Sequence, residues 1–380
     1  MARRRMNGEG TIYQRPNGLW VCEVTLGYDK NKKRIKKTVS SMDKDKLQKK
    51  INELKYKSDR HLLTNPSEYT VDEWVLFWLD TYKKPSIKPT TYDMYKGSLK
   101  RYIKPKIGHY KLDKLSSIIV QQFINDISAQ GLNKKDGLSQ SSIKKVFITL
   151  SQACKQAVSA NILYQNPCDS VQLPKKQPRQ SVAFTVEEQE KFLAQCKGET
   201  TFENLFIFAF NTGMRLGEML ALTWDDVDLE KNIISVSKNL SVVNDYDENS
   251  EKKNKIVIDT TKTESGSREI PLNKAALKCV KTQLQNNKND SPFIFYSTTG
   301  TVLMKRNIYR AFKNIMQKAN IKTHLTIHSM RHSFATRLLE KGANIKTVSE
   351  LLGHKSIQIT LDTYSHVSCD LKEKTISLLN

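Results

Sequence analysis

Two prolines four residues apart, in the run Leu173-Pro174-Lys175-Lys176-Gln177-Pro178-Arg179, keep any helix or strand from crossing the middle of this 380-residue chain. Each pyrrolidine ring fixes φ, deletes a backbone donor and turns the preceding residue away from helical geometry. With Asn166-Pro167 just upstream, the run splits the chain into parts that must each bury a core of their own. A second break falls between His61 and Ser67, where Asn65-Pro66 interrupts a stretch with no periodic apolar pattern. Three segments result, 1–65, 68–170 and 180–380.

Charge narrows what such a chain can meet. It carries 62 Lys and Arg against 39 Asp and Glu, a formal net charge of +23. Solubility does not need an excess this large, which points to nucleic acid or an anionic membrane surface. Residues 1–65 alone hold 17 basic and 7 acidic side chains. No apolar run reaches the roughly 18 residues of a membrane span. Met1-Ala2-Arg3-Arg4-Arg5 has no apolar stretch behind it to make a signal peptide. A membrane role is disfavoured, leaving nucleic acid as partner and the cytoplasm as compartment. The cysteines (Cys22, Cys154, Cys168, Cys196, Cys279, Cys369) are scattered singly, which fits a reducing cytosol and a role as small core fillers.

Residues 9–40 read as a three-stranded sheet. Thr11-Ile12-Tyr13 leads to the turn Pro16-Asn17-Gly18, Leu19 to Leu26 is rich in β-branched and aromatic residues, and a turn at Asp29-Lys30-Asn31 leads to Ile35 to Val39. A helix follows from Ser41 as N-cap, with Leu47, Ile51 and Leu54 spaced to cover one sheet face. Arg15, Lys32, Lys33, Arg34 and Lys36 fall on strands and turns away from that helix, and a basic ribbon of this size fits a DNA major groove. From residue 68 four helices are expected. The capping box Thr70-Val71-Asp72-Glu73 opens one with a core stripe of Trp74, Phe77 and Trp78; 90–103, 116–130 and 139–160 follow, with breaks at Pro105 to Gly108 and Gly131 to Gly137. Lys88, Lys96 and Lys100 gather toward one end, and Lys175 and Lys176 extend the basic track along a linker suited to a phosphate backbone.

Beyond the linker, Thr185-Val186-Glu187-Glu188 is another capping box. Helices near 185–197, 202–212 and 215–222 precede one sheet with strands 233–236, 255–259 and 268–272, the polar stretch 244–254 forming a hairpin tip. Helices around 273–286, 304–319, 329–341, 344–352 and 356–363 complete the segment. The fold class is thus multidomain α+β: a small N-terminal three-stranded sheet plus helix, an all-α four-helix unit, and a mainly α domain with a small antiparallel sheet.

Chemistry gathers in that last segment. Thr212-Gly213-Met214-Arg215-Leu216-Gly217-Glu218 is followed by His328-Ser329-Met330-Arg331, by Leu351-Leu352-Gly353-His354, and by Leu361-Asp362-Thr363-Tyr364-Ser365-His366. A phenol is a weak nucleophile until its proton leaves, and a phosphodiester repels nucleophiles until its oxygens are neutralised. Arginine meets the second need, because its planar fork stays charged and grips two phosphate oxygens. His328 and Arg331, three apart on a helical pattern, share one pocket. Gly353 closes a helix and leaves His354 at the rim, and Ser356 caps a short helix that delivers Tyr364. Taken singly, Arg215 would be an ion-pair partner of Glu218, Lys262 a surface lysine and Tyr364 a half-buried aromatic. No Glu or Cys completes a zinc site of His328 with His332, and His332 would pack in the core or support the residues of the site. Their conjunction in one order and spacing argues against these separate readings.

The arrangement resembles the tyrosine recombinase family, and the three-segment layout resembles its phage and conjugative-transposon integrases. The likeness is most specific over 212–218 and 328–366. It implies that Arg215 and Arg331 clamp the scissile phosphate, and that Tyr364 attacks it to leave a 3′-phosphotyrosyl link and a free 5′-hydroxyl. Lys262, in Thr261 to Arg268, would protonate the departing oxygen; His328 would act as general base or phosphate ligand, His354 would donate to a phosphate oxygen, and Glu218 would orient them. Residues 1–65 would form an arm-type DNA-binding domain, 68–170 a helical core-binding domain and 180–380 the catalytic domain with a C-terminal assembly tail. Neither cofactor nor metal is implied. The implied partners are double-stranded DNA attachment sites, a homotetramer on DNA, an excisionase and a host DNA-bending protein, all at the nucleoid of a bacterial host. An apolar strip of Val367, Leu371, Ile376, Leu378 and Leu379 would dock on a neighbouring protomer or fold back in cis. Three rivals remain. A type IB topoisomerase needs neither a basic N-terminal sheet nor an assembling tail. A metal-dependent nuclease needs a carboxylate cluster, where the last segment offers Glu218. A non-catalytic DNA-binding regulator has no use for Tyr364.

Overall fold

A computed structural model describes residues 11–28, 34–59, 69–130, 137–175, 182–246, 250, 253–260, 266–287, 289–361 and 363. The chain forms two compact units, Met1–Lys176 and Gln177–Asn380.

In the first unit, β1 (Thr11–Gln14), β2 (Trp20–Tyr28) and β3 (Arg34–Ser41) make an antiparallel sheet in sequence order. Helix α1 (Lys44–Asp59) packs on it, burying Leu47 and Ile51 against Cys22. The side chain of Leu54 lies outside the described residues. Asp43, not Ser41, caps α1: its carboxylate accepts from the amides of Asp45 and Lys46, while the Ser41 hydroxyl accepts from the Asp43 amide. A carboxylate is as good a cap as a hydroxyl and adds negative charge at the helix N-terminus, so the helix starts later than expected.

The helical part begins with α2 (Val71–Trp78), held by the Thr70–Glu73 capping box. Trp74 and Trp78 are buried, and the Trp74 indole donates to the Ala153 carbonyl. Phe77, expected in the same stripe, is 40% exposed and stacks on Tyr69. The buried face centres on Val71, Val75 and Trp78, which leaves position 77 at its edge. Helix α3 (Pro89–Ser98) does not stop before Pro105; it widens into a π turn at Leu99–Ile103 and runs on as α4 (Lys104–Ile107). The Lys104 amide bonds the Leu99 carbonyl five residues back, and this wider turn accommodates a proline that lacks a donor. Helices α5 (Ser117–Gln130) and α6 (Gln140–Ser159) close the core around the two tryptophans.

The second unit opens with α7 (Val186–Cys196), capped by the Thr185–Glu188 box, and α8 (Glu203–Thr212). Helix α9 (Leu216–Met219) is a single turn, shorter than the expected 215–222. Beyond it the amides of Ala221 and Leu222 bond carbonyls three residues back, those of Glu218 and Met219, so the chain tightens out of α-helical spacing. Strands β4 (Val227–Asp228), β5 (Ile233–Val236), β6 (Lys238–Asn244), β7 (Asn254–Thr260) and β8 (Arg268–Pro271) follow. They form two sheets where one was expected: β4-β5-β8, and a separate β6-β7 ribbon. Strand β6 hid in the sequence because its buried residues, Leu240 and Val243, are three apart and break strict alternation. Helices α10 (Lys274–Gln285), α11 (Lys305–Lys318), α12 (Ile327–Glu340) and α13 (Ile345–Leu352) complete the unit, with residues 357–361 helical beyond them. Phe184, Phe192, Phe206, Phe210 and Phe312 pack largely edge-to-face between α7, α8 and α11, the favoured geometry for aromatic quadrupoles. The described cysteines are buried free thiols. Among the described residues no helix is long and apolar enough to cross a membrane.

Candidate active site

The site grows from the end of α8. Gly213 terminates that helix at φ 61, where a Cβ would lie 2.4 Å from the Phe334 ring, so the turn requires glycine. The turn places Arg215 at the start of α9 with its side chain 40% exposed. One turn on, Glu218 is only 3% exposed, and its carboxylate accepts from the Arg215 amide (2.9 Å), Arg215 Nη1 (2.7 Å) and Arg268 Nη2 (2.9 Å). The ion pair expected of a lone Arg215 is therefore present, and it belongs to a larger network.

Helix α12 starts at Ile327, two residues earlier than the pattern predicts, because Thr326 and Ser329 form a reciprocal cap. His328 and Arg331 thus share its first turns. Arg331 is 3% exposed, donating from Nη1 to the Gly213 carbonyl (2.9 Å) and from Nη2 to the Leu352 carbonyl. Helix α13 ends on Gly353 at φ 63, as the sequence predicts. A helix end leaves carbonyls without partners. Here three successive ones are met by three arginines: Leu351 by Arg268 Nε (2.6 Å), Leu352 by Arg331, and Gly353 by Arg215 Nη2 (3.3 Å). The next residue is His354, whose Nδ1 pairs with Thr360 Oγ1 at 2.8 Å. A cavity of about 350 Å³ opens beside His354 and Arg268, lined also by Lys346, Glu350 and Lys355.

Burial sets the protonation of the imidazoles. It drives His354 down to about 4, helped by Arg331, Arg215, His332 and Arg268. It drives His332 down to about 4 as well, helped by His328 and Arg331. His328 is lowered for the same reason, burial first, then Arg331 and Arg215. These rings are neutral near pH 7, each with one donor and one acceptor nitrogen. With Nδ1 of His354 engaged by Thr360, Nε2 is its remaining hydrogen-bonding atom. His332, read as a packing residue or a support for the site, stands edge-on to His328 with ring centroids 4.7 Å apart. Burial pushes the Glu218 carboxyl up, but Arg268 and Arg215 outweigh it and hold the group below the usual carboxylate range.

The structure brings together Arg215, Glu218, His328, Arg331 and His354. Lys262 and Tyr364 lie outside the described residues, as does the strip from Val367 to Leu379. Sequence reasoning missed Arg268 and Thr360. A signal existed for each: Arg268 is two residues before inward-facing Ile270 on a strand, and Thr360 is four residues before Tyr364 in the sequence. Of the residues expected to meet DNA, Arg15 is exposed in the β1–β2 turn, Lys88 precedes α3, Lys96 lies against the Tyr92 ring, and Lys100 and Lys175 are exposed. Arg34 and Lys36 are on β3 with side chains outside the described set; Lys32, Lys33 and Lys176 lie outside it altogether.

Comparison with known proteins agrees with this architecture. The Phage integrase family model matches residues 183–370, and that of the Phage integrase N-terminal SAM-like domain matches residues 70–128. A curated relative, the Tyrosine recombinase XerC-like protein of Caldanaerobacter subterraneus subsp. tengcongensis, is 28% identical over 377 residues, 94% of each chain. Among solved structures, the Tn1549 transposon integrase in complex with a circular intermediate DNA aligns with a TM-score of 0.68 at 22% identity, covering 82% of this chain and 100% of that one. A lambda integrase tetramer bound to a Holliday junction aligns with a TM-score of 0.57 at 17% identity, covering 93% and 97%. Both are likenesses of fold. The chain belongs to the tyrosine recombinase, or phage integrase, family. It is a site-specific recombinase of the integrase type found on mobile elements and prophages, an enzyme that breaks and rejoins DNA strands.

Proposed function

We propose that Tyr364 is the nucleophile of this recombinase and that Arg215, Arg331, His328, His354 and Lys262 serve it, with Glu218 orienting Arg215. The observation that carries this is the convergence of Arg215 and Arg331 on the adjacent carbonyls of Gly353 and Leu352, directly before His354. Two guanidiniums fixed so close together stabilise the charge that builds on a phosphorus under attack. The phenolic oxygen of Tyr364 bonds to phosphorus as the bond to the 5′-oxygen breaks, and Lys262 gives that oxygen its proton. His328 takes the phenolic proton or binds phosphate; neutral His354 offers Nε2 to a phosphate oxygen. The phosphotyrosine retains the bond energy, so a 5′-hydroxyl of another strand reverses the step without ATP.

On this reading residues 68–170 grip the core site, with Lys88, Lys96, Lys100, Lys175 and Lys176 on phosphates, and residues 180–380 carry the chemistry. Residues 1–65, with Arg15, Lys32, Lys33, Arg34 and Lys36, bind separate arm sites and raise the effective concentration of core DNA. Four protomers act on two attachment sites, a reading supported by the lambda integrase tetramer bound to a Holliday junction. The tail after Tyr364 links neighbours, and an excisionase and a DNA-bending protein set direction. Nicked suicide DNA tests the centre of the reading. The parent chain should accumulate a covalent adduct whose DNA-linked peptide contains Tyr364. Tyr364→Phe should form none while binding the same DNA as before; an adduct through any other residue overturns the assignment.

A further inference from the structure

We infer that Arg268 is a positioning residue of the active site, a hub whose guanidinium locks the orienting carboxylate of Glu218 to the helix end that presents His354. The inference rests on the catalytic reading of Arg215 and His354 given above. Arg268 lies at the start of β8 with its side chain only 6% exposed. Each of its nitrogens donates to a different part of the fold: Nε to the Leu351 carbonyl (2.6 Å), Nη1 to the Gly266 carbonyl (3.1 Å) and Nη2 to Glu218 Oε2 (2.9 Å). A guanidinium is planar and rigid, so these acceptors are held in fixed relation to one another.

The consequence is a closed circuit. Glu218 binds Arg268 through Oε2 and Arg215 Nη1 through Oε1. Arg215 Nη2 binds the Gly353 carbonyl, two residues along the same backbone from the Leu351 carbonyl that Arg268 holds. Moving any one member moves Arg215 relative to His354. The Gly266 bond extends the hub to a backbone position four residues after Lys262 in the sequence. Stability is a poor explanation for so buried a charge, since apolar replacements of buried ion pairs commonly leave proteins as stable or more so. With every nitrogen turned to a protein atom, its work is to hold other groups.

Full-length Arg268→Met and Arg268→Lys, with Tyr364→Phe as control, distinguish this from simpler roles. The single-turnover rate of adduct formation at saturating suicide DNA, the DNA affinity and the melting temperature would be measured for each. Misplacement of a reacting group by about 1 Å costs on the order of 100-fold in rate, so Arg268→Met should slow cleavage by about that factor with affinity unchanged. Arg268→Lys keeps the charge but can make few of the three bonds, and should recover little of the rate. The imidazole of His354, followed by NMR, should titrate higher in Arg268→Met, which removes one of the cations that lower it. A folded variant of either kind that cleaves at the parental rate overturns the inference. So does a loss of rate matched by a loss of affinity, or unfolding of both variants, each of which assigns Arg268 to binding or to stability. An adduct still formed by Tyr364→Phe would instead refute the catalytic reading and leave the geometry of the hub intact.

Discussion

At His354 a single hydrogen bond, Nδ1 to Thr360 Oγ1, decides which nitrogen is left for the cleft. Thr360→Val keeps the shape and removes the partner. Adduct formation should fall by about 10- to 100-fold, the usual loss when a ring's orienting partner is deleted; a rate equal to the parent's on suicide DNA would refute this. The neutral imidazoles also tie stability to pH. Unfolded histidines take up protons near 6.5, whereas His332 and His354 in the folded chain resist until about 4. Their contribution is therefore complete above about 6.5 and is lost as pH falls toward about 4. Urea midpoints should drop between about pH 7 and about pH 5, and His332→Gln should flatten that drop. At this scale Arg215, Arg331 and His354 were legible because each sits at a helix boundary with a strong local signature. Arg268 and Thr360 were missed because the signal each carries gains meaning only once its partners, 50 residues away for the Arg268–Glu218 pair, are known.

Elements carry the site through their ends. Gly213 at φ 61, beneath the Phe334 ring, is the tightest of these ends. Gly213→Ala should destabilise the chain by about 1–3 kcal/mol, the cost of a side chain forced into left-handed backbone. Phe334→Leu in that background should restore part of the loss, as read by urea denaturation, because the steric component has then been relieved. The capping boxes at Thr70 and Thr185 were readable since both partners lie within four residues. The π turn before Pro105 and the strand Lys238–Asn244 were not. The first depends on a hydrogen bond to a carbonyl five residues back, and the second on a partner strand that begins beyond a charged loop.

For the whole molecule, +23 of charge is the dominant quantity. DNA affinity should fall linearly on a log–log plot against salt, and Lys100→Ala should lower the slope by about one while leaving sequence preference unchanged. A slope unaltered by that change would remove Lys100 from the phosphate track. The break between the two units, Lys176 to Gln177, falls inside the run Leu173 to Arg179 whose prolines mark it in the sequence. The end of α13 in the second unit bears on how such a protein tolerates change. At the end of α13 the oxygens that receive Arg268, Arg331 and Arg215 belong to the main chain. No codon substitution can delete a peptide oxygen, so a lineage can exchange the side chains that flank them without losing these bonds. On the guanidinium side a single missense change severs the link outright, and drift is borne by one half of each pair only.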